Sequence, residues 1–590
     1  MRPARHPRTH AAQTLPLHPP PGPSMTLSIR TWITFLVLAV LMGLNNVYST
    51  LLTGWGDGGS IVAVILCLLL LPRIDANIRN YNLGQTVASA GGSVGFTVAI
   101  LASIYVWKGM QGETWEPDLF PLAVLVAAVA LMGVAVAVPM RRYIIHWFFP
   151  SAVACATILK TVTSTNLVER ARATRIMMFA GIASALATLP TKVAFKAGGS
   201  ALWTNLPLVK SKGIALSLDP LMYGIGIVIG PRIGLSMLLG ALLSTLWFVP
   251  WLDAQGTEAA EIGEYVRWSA VGLMTLPAFA SMIFAVAFRT PQVMPPGFTD
   301  LREQPGLTRN QAFFIGGVFL AATAVTIYSM QSVFGVTWPW VVGGILMGAP
   351  MVVALGKVAA ETNINPVRLL AIVLLFVFSL FGTHSPVALL AMGICGAAMA
   401  AIAVDLFYDL RTGHLVGASP RHQVGLQLLG VIPAAFVCVY FLHMLSGFGI
   451  GEGEAFPAPG AVIWATMADA FAGGASMLGR GVLIALGVTS LLGILLALFE
   501  AIPKTKPFTP SAFAMGIALL LPFEMSAAIA LGGVMRWAVT FAARRRGGEE
   551  AEHKAVDDAF QAGSAVFAAS ALTGILAVLL ITLGLLHLPS

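Results

Sequence analysis

From Trp32 to His587 the chain is a succession of apolar runs, separated by short polar or Pro/Gly-containing breaks. Most are about 15–25 residues long, the length a bilayer's hydrocarbon core demands of a helix. The longest include 32–53, 86–107, 120–140, 266–288, 311–330, 385–405, 424–446 and 562–586. Others, such as 59–72, 147–163 and 459–473, are too short or too broken to cross alone. The pattern predicts an all-α polytopic integral membrane protein with about 16 crossings. For 147–163, with Pro150 near its start, it predicts a broken or re-entrant helix.

The pattern also recurs. Residues 220–240 read PLMYGIGIVIGPRIGLSMLLG, and 510–532 read PSAFAMGIALLLPFEMSAAIALG. Each has Pro, Gly six residues later, a second Pro, then Gly. FFPSAVACATIL at 148 is echoed by FPAPGAVIWATM at 456. Pro/Gly-interrupted helices in matching places are the mark of a transporter with a site between two repeats. We therefore expect a tail at 1–25, a first transmembrane half at 26–300 and a second at 301–590. The tail is basic, proline-rich, free of acids and without an apolar core, so it reads as disordered and not as a signal peptide. Met25 stands as an alternative start.

Charge refines this picture. Only 10% of the residues are charged, against 57% apolar. A soluble domain carries about 25% charged residues, so there is too little polar surface to coat a soluble body of this mass. The net charge of +8 does not indicate nucleic-acid binding, because the basic residues sit dispersed at the ends of apolar runs. There they follow the positive-inside rule. Arg73, Arg79, Arg141, Arg142 and Arg544–Arg546 mark cytoplasmic ends. The acidic stretches WKGMQGETWEPD, WLDAQGTEAAEIGEY and GFGIGEGEAFPAP mark external loops. The expected location is the cell (inner) membrane. Cys67, Cys155, Cys395 and Cys438 each lie in an apolar run without metal or redox spacing, and read as buried core residues.

The most specific stretch is DLFYDLRTGHLVGASPRHQVGLQLLG at 405–430. It resembles the D-x-K/R-T-G-x-x-x-G-A-x-P-x-x-Q signature of the oligopeptide transporter (OPT) family. Five further elements resemble that family in its order: SIRTWITFLVLAVLMGLNNVYSTLLTGWGDGGSI, NLGQTVASAGG at 82–92, RRYIIHWFFPSAVACA, ETNINPVR at 361–368, and FPAPGAVIWATM. The resemblance spans about residues 26–580. Ala152, Arg368 and Gly460 depart from the family pattern, where it has Gly, Ser and Gln. The resemblance implies a proton-coupled importer of small peptides, or of metals chelated by peptide-like molecules. The partners it implies are a peptide-like solute, protons and the lipid bilayer.

Ionisable groups inside apolar runs are costly and point to function. Asp219, just before Pro220, reads either as a helix cap or as a proton or substrate group. Glu361 with Asn363 and Asn365 forms a polar cluster beside Pro366, the composition of an unwound binding segment. Asp405 and Asp409 lie four apart on one helix face. Asp409 with Arg411 reads as a loop-end contact, and the deeper Asp405 as the better proton site. Glu524 falls opposite Arg232 in the repeat register, as a swapped charge pair. Asp469 reads as solute-binding or cavity-facing. The family-like elements add Gln85 and Ser151. His146 and His384, near run ends, read as interfacial groups. Gly91, Gly92, Gly224 and Gly226 read as close-packing positions.

No HExxH, GxSxG or Walker-type loop occurs, so the sequence assigns no catalytic residues, cofactor, resident metal or ATP drive. An ion gradient is the remaining energy source. An intramembrane enzyme is the remote alternative, and a channel is disfavoured by the length and apparent halves.

The topology has a direct check. In a cysteine-free background, Glu113→Cys reacts with an impermeant thiol reagent on intact cells, and Arg545→Cys reacts only after permeabilisation. Labelling of position 545 from outside reverses the assignment.

Overall fold

The computed structural model describes residues 27–54, 60–145, 147, 149–163, 167–192, 205–209, 214–287, 307–362, 367–380, 385–473 and 479–586. The 1–25 tail, His146, His384, Asn363 and Asn365 lie outside them.

Helices dominate the described residues. The first ten are α1 (Ile29–Thr53), α2 (Ser60–Leu70), α3 (Ile78–Met110), α4 (Leu119–Ile144), α5 (Pro150–Val162), α6 (Leu167–Lys192), α7 (Pro220–Ile229), α8 (Pro231–Leu243), α9 (Val249–Ala254) and α10 (Ala259–Ala287). Then come α11 (Arg309–Phe334), α12 (Trp338–Thr362), α13 (Val367–Leu380), α14 (Pro386–Val416), α15 (Pro420–Ser446), α16 (Pro459–Gly473), α17 (Arg480–Ala501), α18 (Ala512–Leu520) and α19 (Phe523–Thr582). Among the described residues ten stretches are long and apolar enough to cross a membrane, with shorter apolar helices beside them. A hairpin of β1 (Asn205–Val209) and β2 (Ile214–Ser217) is the only sheet among the described residues. The apolar pattern did not announce it, because so short an element carries no periodicity that stands out among the long runs.

Local chemistry sets the helix ends. Ser28, Asn77, Asp118, Asp219, Ser385 and Ser511 cap N-termini with side-chain oxygens, satisfying amides that have no intrahelical partner. Gly54, Gly335 and Gly417 end helices in the left-handed conformation. The paired prolines break helices where expected. α7 stops at Gly230, whose φ is 85°, and Pro231 starts α8. α18 stops at Leu521, and α19 begins after Pro522. At 10 and 9 residues, α7 and α18 reach only about half of a ~30 Å hydrocarbon core. α5, at 13 residues, is also too short to span it. α19 breaks at Gly547 and Gly548. Both of its limbs lie against α7, through Gly532 on Tyr223 and Gly563 on Ile227, so the chain doubles back at that break.

By contact the helices sort into two bodies. The first holds α1–α5 with α11–α16. The second holds α6–α10, the hairpin and α17–α19. Each half of the chain thus contributes its leading helices to one body and its trailing helices to the other. The bodies meet chiefly where α1 and α2 approach α19, α5 approaches α6, and α10 approaches α12, α13 and α16.

Glycine makes the central contacts possible. A Cβ on Gly91 would collide with the Ala39 carbonyl, and one on Gly95 with the Gly43 carbonyl. The paired numbers rise together, so α1 and α3 run parallel at backbone contact. In the second body a Cβ on Gly226 would collide with the Ile529 carbonyl. The packing reading of Gly91 and Gly226 holds. The four cysteines are buried, as read from the sequence.

Asp75, in the turn between α2 and α3, ties down the start of α1. Its Oδ2 accepts from the Thr31 hydroxyl at 2.5 Å, the Ser28 hydroxyl at 2.7 Å and the Ser28 amide at 3.1 Å. The Thr31 hydroxyl above all, with Ser28, holds this carboxyl below the usual carboxylate range.

Two predictions follow from these contacts. Gly91→Ala forces α1 and α3 apart and costs about 1–3 kcal/mol, read as a lowered unfolding temperature in detergent. Gly109→Ala, with open space around it, does not. Because Asp75 has a lowered folded pKa, its stabilisation is present above the ordinary value of 3.8 and lost as pH falls through the folded value. The difference in Tm between wild type and Asp75→Asn therefore shrinks between about pH 6 and about pH 2.

Candidate functional site

Inside the first body, α3 carries a polar stripe at Asn82, Gln85, Thr86, Ser89 and Ser93. The spacing of three and four places these side chains along one face, and all are buried. That face meets α14, which crosses antiparallel: Gln85 pairs with Asp409, and Ser89 pairs with Asp405. The Gln85 Nε2 donates to Asp409 Oδ1, and the Gln85 Oε1 accepts from Asn82 at 2.9 Å. Asp405 Oδ2 accepts from the Ser89 hydroxyl at 2.8 Å and from the Ser93 hydroxyl.

α15 closes the groove. Gln423 Nε2 lies 2.7 Å from the Asp409 carbonyl, 3.2 Å from Asn82 Oδ1 and 3.2 Å from Thr86 Oγ1. One turn on, Gln427 is fully buried, and neither of its amide atoms has a hydrogen-bond partner among the described residues. Arg411 donates to the Ile145 carbonyl at the end of α4, and Thr412 lies 3.3 Å from the Ala152 carbonyl on α5. The site therefore joins α3, α4 and α5 from the first half of the chain to α14 and α15 from the second.

The structure brings together two of the expected residues, Gln85 and Asp405. It corrects the reading of Asp409, which is not at a loop end. α14 continues to Val416 and leaves Asp409 fully buried inside the helix. Ser151 lies in the first turn of α5, next to Ala152. Glu361 is in the last turn of α12, and its side chain lies outside the described residues. Asp469 is exposed and accepts from Trp107 Nε1 at 2.9 Å. The expected swapped pair is not formed: Arg232 pairs with Glu500 at 2.6 Å, while Glu524 accepts from Asn205 at 3.3 Å. Asp219 caps α7 and also pairs with Lys192 at 2.6 Å, at the meeting of the two bodies. Asn82, Thr86, Ser89, Ser93 and Gln423 escaped the sequence reading as site residues. The signal of the four on α3 was present, because with Gln85 they make five polar residues at helical spacing in an apolar run, which mark one buried face.

A small cavity lies farther along α3, lined by Thr50, Phe96, Ile100, Gly460 and Trp464 among others. At about 10 Å³ it has room for a water-sized group only.

Residues 26–581 match the family model described as OPT oligopeptide transporter protein. The chain belongs to the OPT family. It is similar to a putative oligopeptide transporter of Haemophilus influenzae, at 22% identity over 571 residues, covering 86% of this chain and 88% of that protein. It is also similar to a probable metal-nicotianamine transporter of Oryza sativa subsp. japonica, at 26% identity over 278 residues. That match covers 42% of this chain and 40% of the rice protein, so the chain spans less than half of that relative's length. An iron-phytosiderophore transporter of the same plant is 26% identical over 209 residues, 34% of this chain and 31% of that protein. Within this OPT family member, the departure at Gly460 lines the cavity and the one at Ala152 adjoins Thr412.

Proposed function

We propose that this OPT family member is a proton-coupled secondary transporter that imports small oligopeptides, with Asp405 carrying the proton. The observation that supports this most is the setting of Asp405: buried within a membrane-spanning helix, at the crossing of α3 and α14, and bonded to two hydroxyls. An Asp at the centre of a membrane helix costs about 2.5–3.5 kcal/mol on insertion scales. Interhelical hydrogen bonds in membranes average only about 0.6 kcal/mol each. Bonds of that size are too weak to be, by themselves, a reason for placing a carboxylate there. Serine hydroxyls suit a group that changes protonation state, since they donate to the anion and accept from the acid.

The chain halves 26–300 and 301–590 fit the same reading as related repeats. Both contain a short half-helix ended by a proline, α7 and α18, and both supply one long helix to the central crossing. A site shared between repeats and bordered by broken helices suits alternating access. Glu361 is a second proton candidate.

A metal chelate of a peptide-like molecule is the second substrate reading, favoured by the rice relatives named for metal-nicotianamine and iron-phytosiderophore transport. Such a solute brings its own ligands.

The test is uptake into proteoliposomes with a panel of peptides and chelates, with and without an inward pH gradient. Wild type accumulates one class only when the gradient is present. Asp405→Asn and Glu361→Gln mimic the protonated acids, so they abolish gradient-driven accumulation and preserve counterflow. Normal accumulation by Asp405→Asn removes it as the proton carrier.

A further inference from the structure

The two bodies meet at a second polar cluster, which proton transfer at Asp405 does not use. Lys192, the last residue of α6, has its Nζ 2.6 Å from Asp219 Oδ2 and donates to the Tyr48 hydroxyl of α1. Asp219 Oδ1 accepts from the Leu221 amide at 3.0 Å and from the Ser570 hydroxyl of α19 at 3.2 Å. Tyr48 reaches this cluster because α19 has a glycine, Gly574, against its hydroxyl. Tyr48 thus comes from the first body, and Lys192, Asp219 and Ser570 come from the second.

Stability does not account for this pair. Buried ion pairs are often no better than apolar residues of the same volume. Two independent features bear on what the pair is for. Asp219 stands at the N-terminus of α7, a 10-residue half-helix ended at Gly230, and such an end attracts anions. The second feature is on α1. Asn45 lies three residues before Tyr48 and so shares the face of α1 that Tyr48 turns toward the second body, while Ser49, four residues after Asn45, lies at the edge of that face. Asn45 is 1% exposed and Ser49 0%. Both amide atoms of Asn45 and the Ser49 hydroxyl have no hydrogen-bond partner among the described residues. A buried polar group left in that condition costs about 1–3 kcal/mol, a cost that a polar ligand removes.

The geometry points to a binding site for a small zwitterion, with Lys192 taking its carboxylate and Asp219, the cap of α7, its ammonium. Asn45 and Ser49 take the polar group between the two charges. The solute replaces the ion pair: each protein charge exchanges its present partner for one on the solute, and no net charge is buried. This inference rests on the transporter reading and deepens it, because it requires both free ends of a peptide-like solute.

The experiment measures binding of dialanine, its C-terminal amide and its N-acetyl form to the purified full-length protein by calorimetry. Wild type is expected to bind dialanine at least about tenfold more tightly than either blocked form, a difference of about 1.4 kcal/mol. Lys192→Gln loses the preference over the amide and keeps the preference over the acetyl form. Asp219→Asn, which still caps α7, does the reverse. Asn45→Ala, which leaves both charges in place, weakens all three forms alike and serves where a charge variant does not fold. Equal binding of all three forms by wild type, or no binding of dialanine, overturns the inference. So do Lys192 or Asp219 variants that fold and weaken all three forms equally, which is the behaviour of a merely structural pair. Counterflow on the same preparations separates the two readings. Transport that is indifferent to blocked ends sinks the zwitterion site alone, whereas absence of counterflow for every peptide and chelate sinks the transporter reading.

Discussion

The crossing of α3 and α14 is the contact on which the rest of the structure depends. Both helices are almost wholly buried in the first body, so neither has lipid or water available for its polar groups. Every carboxylate, amide and hydroxyl on them needs a protein partner or a ligand. Asp405 and Asp409 lie one turn apart on α14, and the stripe on α3 meets them at the same interval. A slip of one residue along either helix would rotate these groups by about 100° into apolar neighbours. The polar pairs therefore fix the register of the crossing, and the helices packed on it inherit that register.

Around that crossing, close approach is obtained by removing side chains. Lipid offers no hydrophobic drive for helices to associate, so dispersion and backbone proximity must supply it. Gly91 and Gly95 bring α3 onto α1, and Gly226 and Gly532 bring α7 onto α19. Each body thus contains helices brought together through glycine. The interface between the bodies is different in kind: it is thinner, and it contains the Tyr48, Lys192 and Asp219 cluster. A tight interior with a sparse, polar boundary is the mechanical form that relative movement of two bodies needs.

The two polar centres also differ chemically. At Asp405 the Ser89 and Ser93 hydroxyls tolerate either protonation state of the acid. At Asp219 the partner is a cation, which requires that the carboxylate stay charged or meet another positive group. The first arrangement suits a proton, and the second suits a solute with charges of both signs. The Asp75 contact at the start of α1 lies outside both and serves as a fixed end for the helix that carries Tyr48.

What the sequence by itself determined was set by the bilayer. The length of the apolar runs, the scarcity of charge and the proline breaks at Pro231 and Pro522 follow from a solvent that leaves no backbone group unpaired. Such constraints act locally and so can be read locally. The family-like stretches also offered Gln85 and Asp405 as candidates, and these two lie in one buried cluster. What the tertiary structure decided was partnership. Asp409 looked like a loop-end acid beside Arg411, because nothing in the sequence says that α14 runs on to Val416. Arg232 chose Glu500 over Glu524, and Asp219 acquired Lys192, 27 residues away in the chain with a β-hairpin between them. Each of these pairings depends on which helix faces come together in space. A one-dimensional pattern gives the faces of a helix but not its neighbours, and in a chain that is apolar nearly everywhere the faces are weakly marked.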